Sequence, residues 1–120
     1  MTPDELKSRT KVFAVRIIRL VAQLPRNLVG DVIGRQILRS GTSVGANYRA
    51  ALRARSRAEF TARLAVAQEE ADETLYWLAL LAEAGVVKVE RLKDLVQEAN
   101  ELIAIFTASL KTTKQPRRNG

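Results

Sequence analysis

Apolar residues recur every three or four positions along almost the whole chain, the period of an amphipathic helix. Leu6, Thr10, Phe13, Ile17, Leu20 and Leu24 share one face of a first helix. Thr2-Pro3-Asp4-Glu5 marks its start, with Thr2 as cap, Pro3 at the first helical position and Glu5 completing a capping box. Pro25 ends it, because the residue before a proline is pushed out of the helical region. After a short connection over residues 25–27, a second helix is predicted over about residues 28–54. Ser56-Arg57-Ala58-Glu59 is a further capping box and opens a third helix. Phe60, Leu64, Ala67, Ala71, Leu75, Leu78 and Ala82 form that helix's core stripe, and Gly85 suits its C-terminal cap. A fourth helix begins near Lys88 or Val89 and carries Leu92, Leu95, Ala99, Leu102, Phe106 and Leu110. Connections this short make successive helices antiparallel neighbours. The expectation is an all-α, up-down-up-down four-helix bundle over residues 1–111. Residues 112–120 are polar, contain Pro116 and read as a disordered basic tail.

Helices two and three each carry a second stripe. In helix two, Gln36, Ser40, Ser43 and Asn47 form a polar row, and Gly34, Leu38, Gly41, Gly45, Tyr48 and Leu52 a row of mostly small residues. A glycine inside a helix costs roughly 1 kcal/mol against alanine, so close backbone approach to a neighbouring helix must offset it. The polar row is then expected to hydrogen-bond inside the bundle. Helix three adds Arg63, Val66, Glu70, Glu73, Trp77 and Leu80. A face that mixes acids with tryptophan suggests a contact between protomers, where aromatic residues are enriched. Trp77 and Tyr48 are the expected interface residues. Arg39 projects beside the polar row, within reach of Glu70 or Glu73, a pairing that fixes register between helices.

Charge changes the picture. The net charge is +7, unevenly spread. Residues 1–57 hold twelve Lys or Arg against three acids, residues 58–110 four against ten, and the last ten residues four against none. Basic helices packed beside acidic ones account for part of this. Arg49, Arg53, Arg55 and Arg57 exceed what a helix C-terminus needs, and arginine suits bidentate phosphate recognition. These four, with Lys111, Lys114, Arg117 and Arg118 of the tail, are the candidate nucleic-acid-binding residues. Only Tyr48 is interleaved with the arginines, so base stacking and sequence specificity are not expected.

Composition narrows the chemistry further. The chain has no cysteine and no histidine, which removes disulfides, thiolate metal sites, imidazole acid-base catalysis and the Glu-x-x-His ligation of di-iron bundles. Glu69, Glu70, Asp72 and Glu73 have no facing acidic motif that would complete a catalytic or metal site. No enzyme activity, metal or cofactor is expected. The longest apolar run, residues 75–82, is far too short to span a membrane, and the start lacks a signal peptide's pattern. A cytoplasmic protein without a membrane partner is the expectation.

Leu24-Pro25, Arg39-Ser40, Ser43 and Asn47, then Arg55, Ser56, Glu59 and Phe60, in this order and spacing, carry a resemblance. The chain resembles, from Phe13 to about Leu110, the four-helix-bundle proteins encoded in intervening sequences of bacterial 23S ribosomal RNA genes. The resemblance implies a homopentameric ring of four-helix protomers with no established activity for most members. Related pentamers in diversity-generating retroelements are basic accessory proteins that bind nucleic acid and a reverse transcriptase. It thus implies self-association, with RNA, DNA or a reverse-transcriptase-like protein as partner. After Asn47 the chain departs from the common Ile-Ala-Glu-Gly: Tyr48, Arg49, Ala50 and Ala51 replace a negative position with a positive one. Two functional expectations follow: a basic nucleic-acid-binding or accessory protein, and a protein-directed scaffold whose charges serve assembly or an acidic partner.

Overall fold

The computed structural model describes residues 1–114, as four helices: α1 (Pro3–Ala22), α2 (Leu28–Leu52), α3 (Arg57–Glu83) and α4 (Val89–Lys114). No strand occurs among the described residues. Three of the starts are fixed by side chains. The Thr2 hydroxyl accepts from the Glu5 N–H at 3.1 Å, Asn27 Oδ1 from the Gly30 N–H at 2.9 Å, and the Ser56 hydroxyl from the Glu59 N–H at 3.1 Å. Each satisfies one N–H that a helix start leaves open, worth about 1 kcal/mol. α3 closes with Gly85 at φ 72°. The Gly85 N–H donates to the Ala82 carbonyl and the Val86 N–H to that of Leu81, a Schellman closure.

Contacts between neighbouring helices run in opposite directions along each pair. Ile17 lies against Gly41 and Thr10 against Gly45. Ser40 meets Thr74, Gln68 meets Thr107 while Arg57 meets Thr113, and Arg9 meets Glu98 while Gln23 meets Arg91. Rising numbers on one helix pair with falling numbers on the next, which is the up-down-up-down bundle, 57 × 22 × 21 Å in extent.

The predicted faces of α1 and α4 are the buried ones, residue for residue. Phe13, Ile17, Leu102 and Phe106 are fully enclosed, each worth about 1.5–3 kcal/mol of apolar burial. The middle helices depart from expectation. α2 buries Ile37, Val44 and Ala51, whereas Leu38 and Leu52 of the predicted stripe are exposed. α3 buries Thr74 and Leu81, while Phe60, Leu75 and Ala82 are half-buried. α2 and α3 each have two closely packed neighbours, so their buried arcs are wide, whereas α1 and α4 touch each other at only a few points. The small residues of α2 serve the approach of α1. A Cβ built on Gly41 would stand 2.8 Å from the Ile17 side chain, too close for any real contact.

Three expectations are corrected. Tyr48 is not on an outer surface: it is 5% exposed and packs in the core with its ring 5.9 Å from that of Phe106. Burial, with Asp4 a secondary cause, raises its phenol pKa above 10.0. The row Gln36, Ser40, Ser43, Asn47 does not form one buried network. Only Ser40 is buried, and its hydroxyl lies 2.9 Å from that of Thr74. Each hydroxyl also reaches the carbonyl four residues back on its own helix, Gln36 O at 2.8 Å and Glu70 O at 2.7 Å. Asn47 instead turns back to the Ser43 carbonyl on its own helix, because this part of the row lies at the edge of the α2–α3 contact. Finally, α4 continues through residues 112–114, which were expected to be tail; Thr112 and Thr113 bond to the Ala108 and Leu110 carbonyls.

Candidate nucleic-acid interface

The antiparallel packing brings the N-termini of α1 and α3 and the C-termini of α2 and α4 to one end of the bundle. Arg49 stands in the last turn of α2, Arg53 is its C-cap, Arg55 lies in the turn and Arg57 is the first residue of α3. All four are exposed. Arg49, Arg53 and Arg55, joined by Arg63 from the second turn of α3, surround an open depression of about 530 Å³. Its floor is Ala46 and Ala50, and Glu59 is its one acid. Glu59 is occupied locally, accepting the Arg55 backbone N–H at 3.0 Å.

Arg57 departs from its predicted company. Its guanidinium donates to the Thr113 carbonyl at 2.9 Å, tying α3 to the last turn of α4. Arg57 therefore closes an open helix end. Arg63 was read as part of the protomer-interface stripe; it lies one turn and more from the arginine run in sequence, and only the α2–α3 turn brings it in. Lys111 is exposed near the same end of the bundle, in the last turn of α4. Lys114 ends α4, and Arg117 and Arg118 lie outside the described residues.

A second depression of about 560 Å³ runs between α1 and α2 and shares Ala46 and Arg49 with the first. Lys7 and Lys11 line it from α1, with Asp4 at its end. The helical spacing of Lys7 and Lys11 puts them on one face, as it does Arg49 and Arg53.

Two other arginines are matched across helix seams. Arg39 bonds to Glu70 at 2.9 Å and also to Glu73, bridging α2 and α3. Arg9 holds both carboxylate oxygens of Glu98 at 2.7 Å and reaches Glu101 at 2.7 Å, bridging α1 and α4. Hydrogen bonding to Glu98 raises the Arg9 pKa against a smaller opposing effect of burial, and the bond from Arg9 lowers that of Glu101. Among the described residues, no ion pair involves Arg49, Arg53, Arg55, Arg57 or Arg63. No group of three or more acids comes together to hold a metal ion among them either. No described helix is long and apolar enough to cross a membrane.

Trp77 is half-buried on α3, one turn beyond Glu73, edge-on to the exposed Tyr76 with ring centroids 5.2 Å apart. Its indole N–H is buried and has no hydrogen-bond partner among the described residues, which costs about 1–3 kcal/mol.

Residues 5–108 match the family described as 23S rRNA-intervening sequence protein. In structure the chain is similar to a protein of unknown function from the S23 ribosomal protein family of Bacteroides thetaiotaomicron VPI-5482. The TM-score is 0.86 at 38% identity, covering 92% of this chain and 99% of the other. No curated protein matches.

Proposed function

The chain belongs to the 23S rRNA-intervening sequence protein family, and from that premise we propose that it is a non-enzymatic, self-associating, cytoplasmic protein that binds nucleic acid through its arginine-rich end. One observation carries the reading: Arg49, Arg53, Arg55 and Arg63 converge on one depression, and among the described residues none of them makes an ion pair. Like charges held together weaken the fold slightly, and a polyanion relieves that repulsion. Lys111 and the basic residues beyond it add affinity without specificity. RNA is the first ligand to test, because the family's description ties it to 23S rRNA.

Self-association belongs to the same proposal, as a ring assembled on the outer face of α3. Its support is Trp77 beside exposed Tyr76, on a helix whose apolar residues are not gathered on one side. Trp77→Ala is expected to shift the mass in light scattering toward the protomer; an unchanged mass rules out this face.

The binding test is fluorescence anisotropy with labelled RNA and DNA across a salt series. Affinity that falls linearly with salt on logarithmic axes supports the reading. No binding at low salt overturns it and moves the arginines to an acidic protein partner, such as a polymerase or reverse-transcriptase-like enzyme.

A further inference from the structure

We infer that the trough between α1 and α2 is a second part of the binding surface, one that takes a single nucleic-acid strand by its phosphates, with Lys7, Lys11 and Arg49 as its cations. The inference rests on the proposed binding at the arginine-rich end and extends it. The trough is continuous with that end, because Ala46 and Arg49 line both depressions. Thr42, Gly45 and Ala46 give it a small-residue floor, and cations stand on both walls, Lys7 and Lys11 on α1 and Arg49 on α2. Asp4 bounds one end.

Width decides the occupant. Packed helix axes lie about 8–10 Å apart, and the glycine contacts put α1 and α2 at close range. A duplex, two backbones wide, cannot settle between them and would ride on the rims. A single backbone can lie between the two walls. From Thr42 to Arg53 the trough and the arginine end follow α2 for about 16 Å, at about 1.5 Å per residue. At about 3.4 Å per nucleotide of a stacked strand this is room for about five nucleotides. No aromatic residue lines either depression, so the bases gain no stacking platform and sequence is not read.

The test uses the full chain and labelled oligoribonucleotides of one sequence, single-stranded and as duplex, across a salt series. The single strand is expected to bind at least about tenfold tighter at low salt. Replacing Lys7 and Lys11 with glutamine is expected to reduce the single-strand slope of log affinity against log salt by about 1.4, leaving helicity by circular dichroism unchanged. T42E, which places an acid on the trough floor, is expected to weaken the single strand by a similar factor. Equal or tighter duplex binding overturns the inference. So does an unchanged slope in the lysine variant when Arg49→Gln and Arg53→Gln still reduce it; binding at the arginine end then stands without the trough. No binding of either ligand overturns both.

Discussion

Arg9 and Arg39 on one side, and Arg49, Arg53, Arg55 and Arg63 on the other, are the same residue put to opposite uses. The first two sit where helices of opposite charge face each other, and each holds two carboxylates across a seam. The second four sit around the α2–α3 turn, and no ion pair among the described residues involves them. Four of the ten acids in residues 58–110 lie at these seams, Glu70 and Glu73 with Arg39 and Glu98 and Glu101 with Arg9. Ion pairs between helices therefore join the bundle at two seams, and among the described residues none involves the arginines at this end. That difference is what supports the proposed binding surface at this end.

The comparison breaks most visibly through the unpaired set. Changing Arg49, Arg53, Arg55 and Arg63 together to glutamine is expected to lower single-strand RNA affinity about a thousandfold near 50 mM salt. The thermal midpoint should hold or rise, since among the described residues none of the four makes an ion pair. A fall of the midpoint by many degrees would show that these arginines are structural.

Next in size is Gly41→Ala, which drives a methyl group into Ile17 and should cost about 1–3 kcal/mol by urea denaturation. Because α1 must move away from α2, this variant should also weaken single-strand binding. A stability loss with wild-type affinity would separate the trough from the binding surface.

Arg39→Gln removes two partly exposed ion pairs and should cost no more than about 1 kcal/mol, with RNA affinity unchanged. Any sizeable loss of affinity in this variant would erase the distinction between the two sets.

The smallest effect lies in pH. The Glu101 carboxyl is held below its ordinary 4.5 by the bond from Arg9. A depressed folded-state pKa contributes stability that is complete above the unfolded value and is lost as pH falls through the folded one. Stability should therefore decline slightly more steeply below about pH 4.5 in the wild type than in Arg9→Gln, by thermal melts. Tyr48 has the opposite sign. Its raised phenol pKa contributes stability below pH 10.0 that is lost above it, and Tyr48→Phe should flatten that alkaline decline.

Four helices, the caps at Thr2, Ser56 and Gly85 and the buried faces of α1 and α4 were legible because each is written in a local pattern. The faces of α2 and α3 were less so. A helix with two close neighbours buries residues on overlapping arcs, and a single-stripe reading assigned Leu38 to the inside and passed over Ile37 and Val44. Tyr48 was misplaced because tyrosine suits both a core and an interface; its pairing with Phe106, fifty-eight positions away, leaves no local trace. The arginine cluster was legible as excess charge. Which arginines share a depression was not: Arg57 bends to the end of α4 and Arg63 enters from α3. Nothing in the local pattern marks Lys7 and Lys11; only the packing of α1 on α2 sets them beside Arg49.

The most direct measurement is the salt dependence of single-strand RNA binding in the wild type and in the four-arginine variant. With Lys7, Lys11 and the four arginines each meeting a phosphate, the wild-type slope should be near −4, and the variant's about 2.8 shallower. Equal slopes in the two proteins would contradict the claim that the unpaired arginines form the nucleic-acid surface.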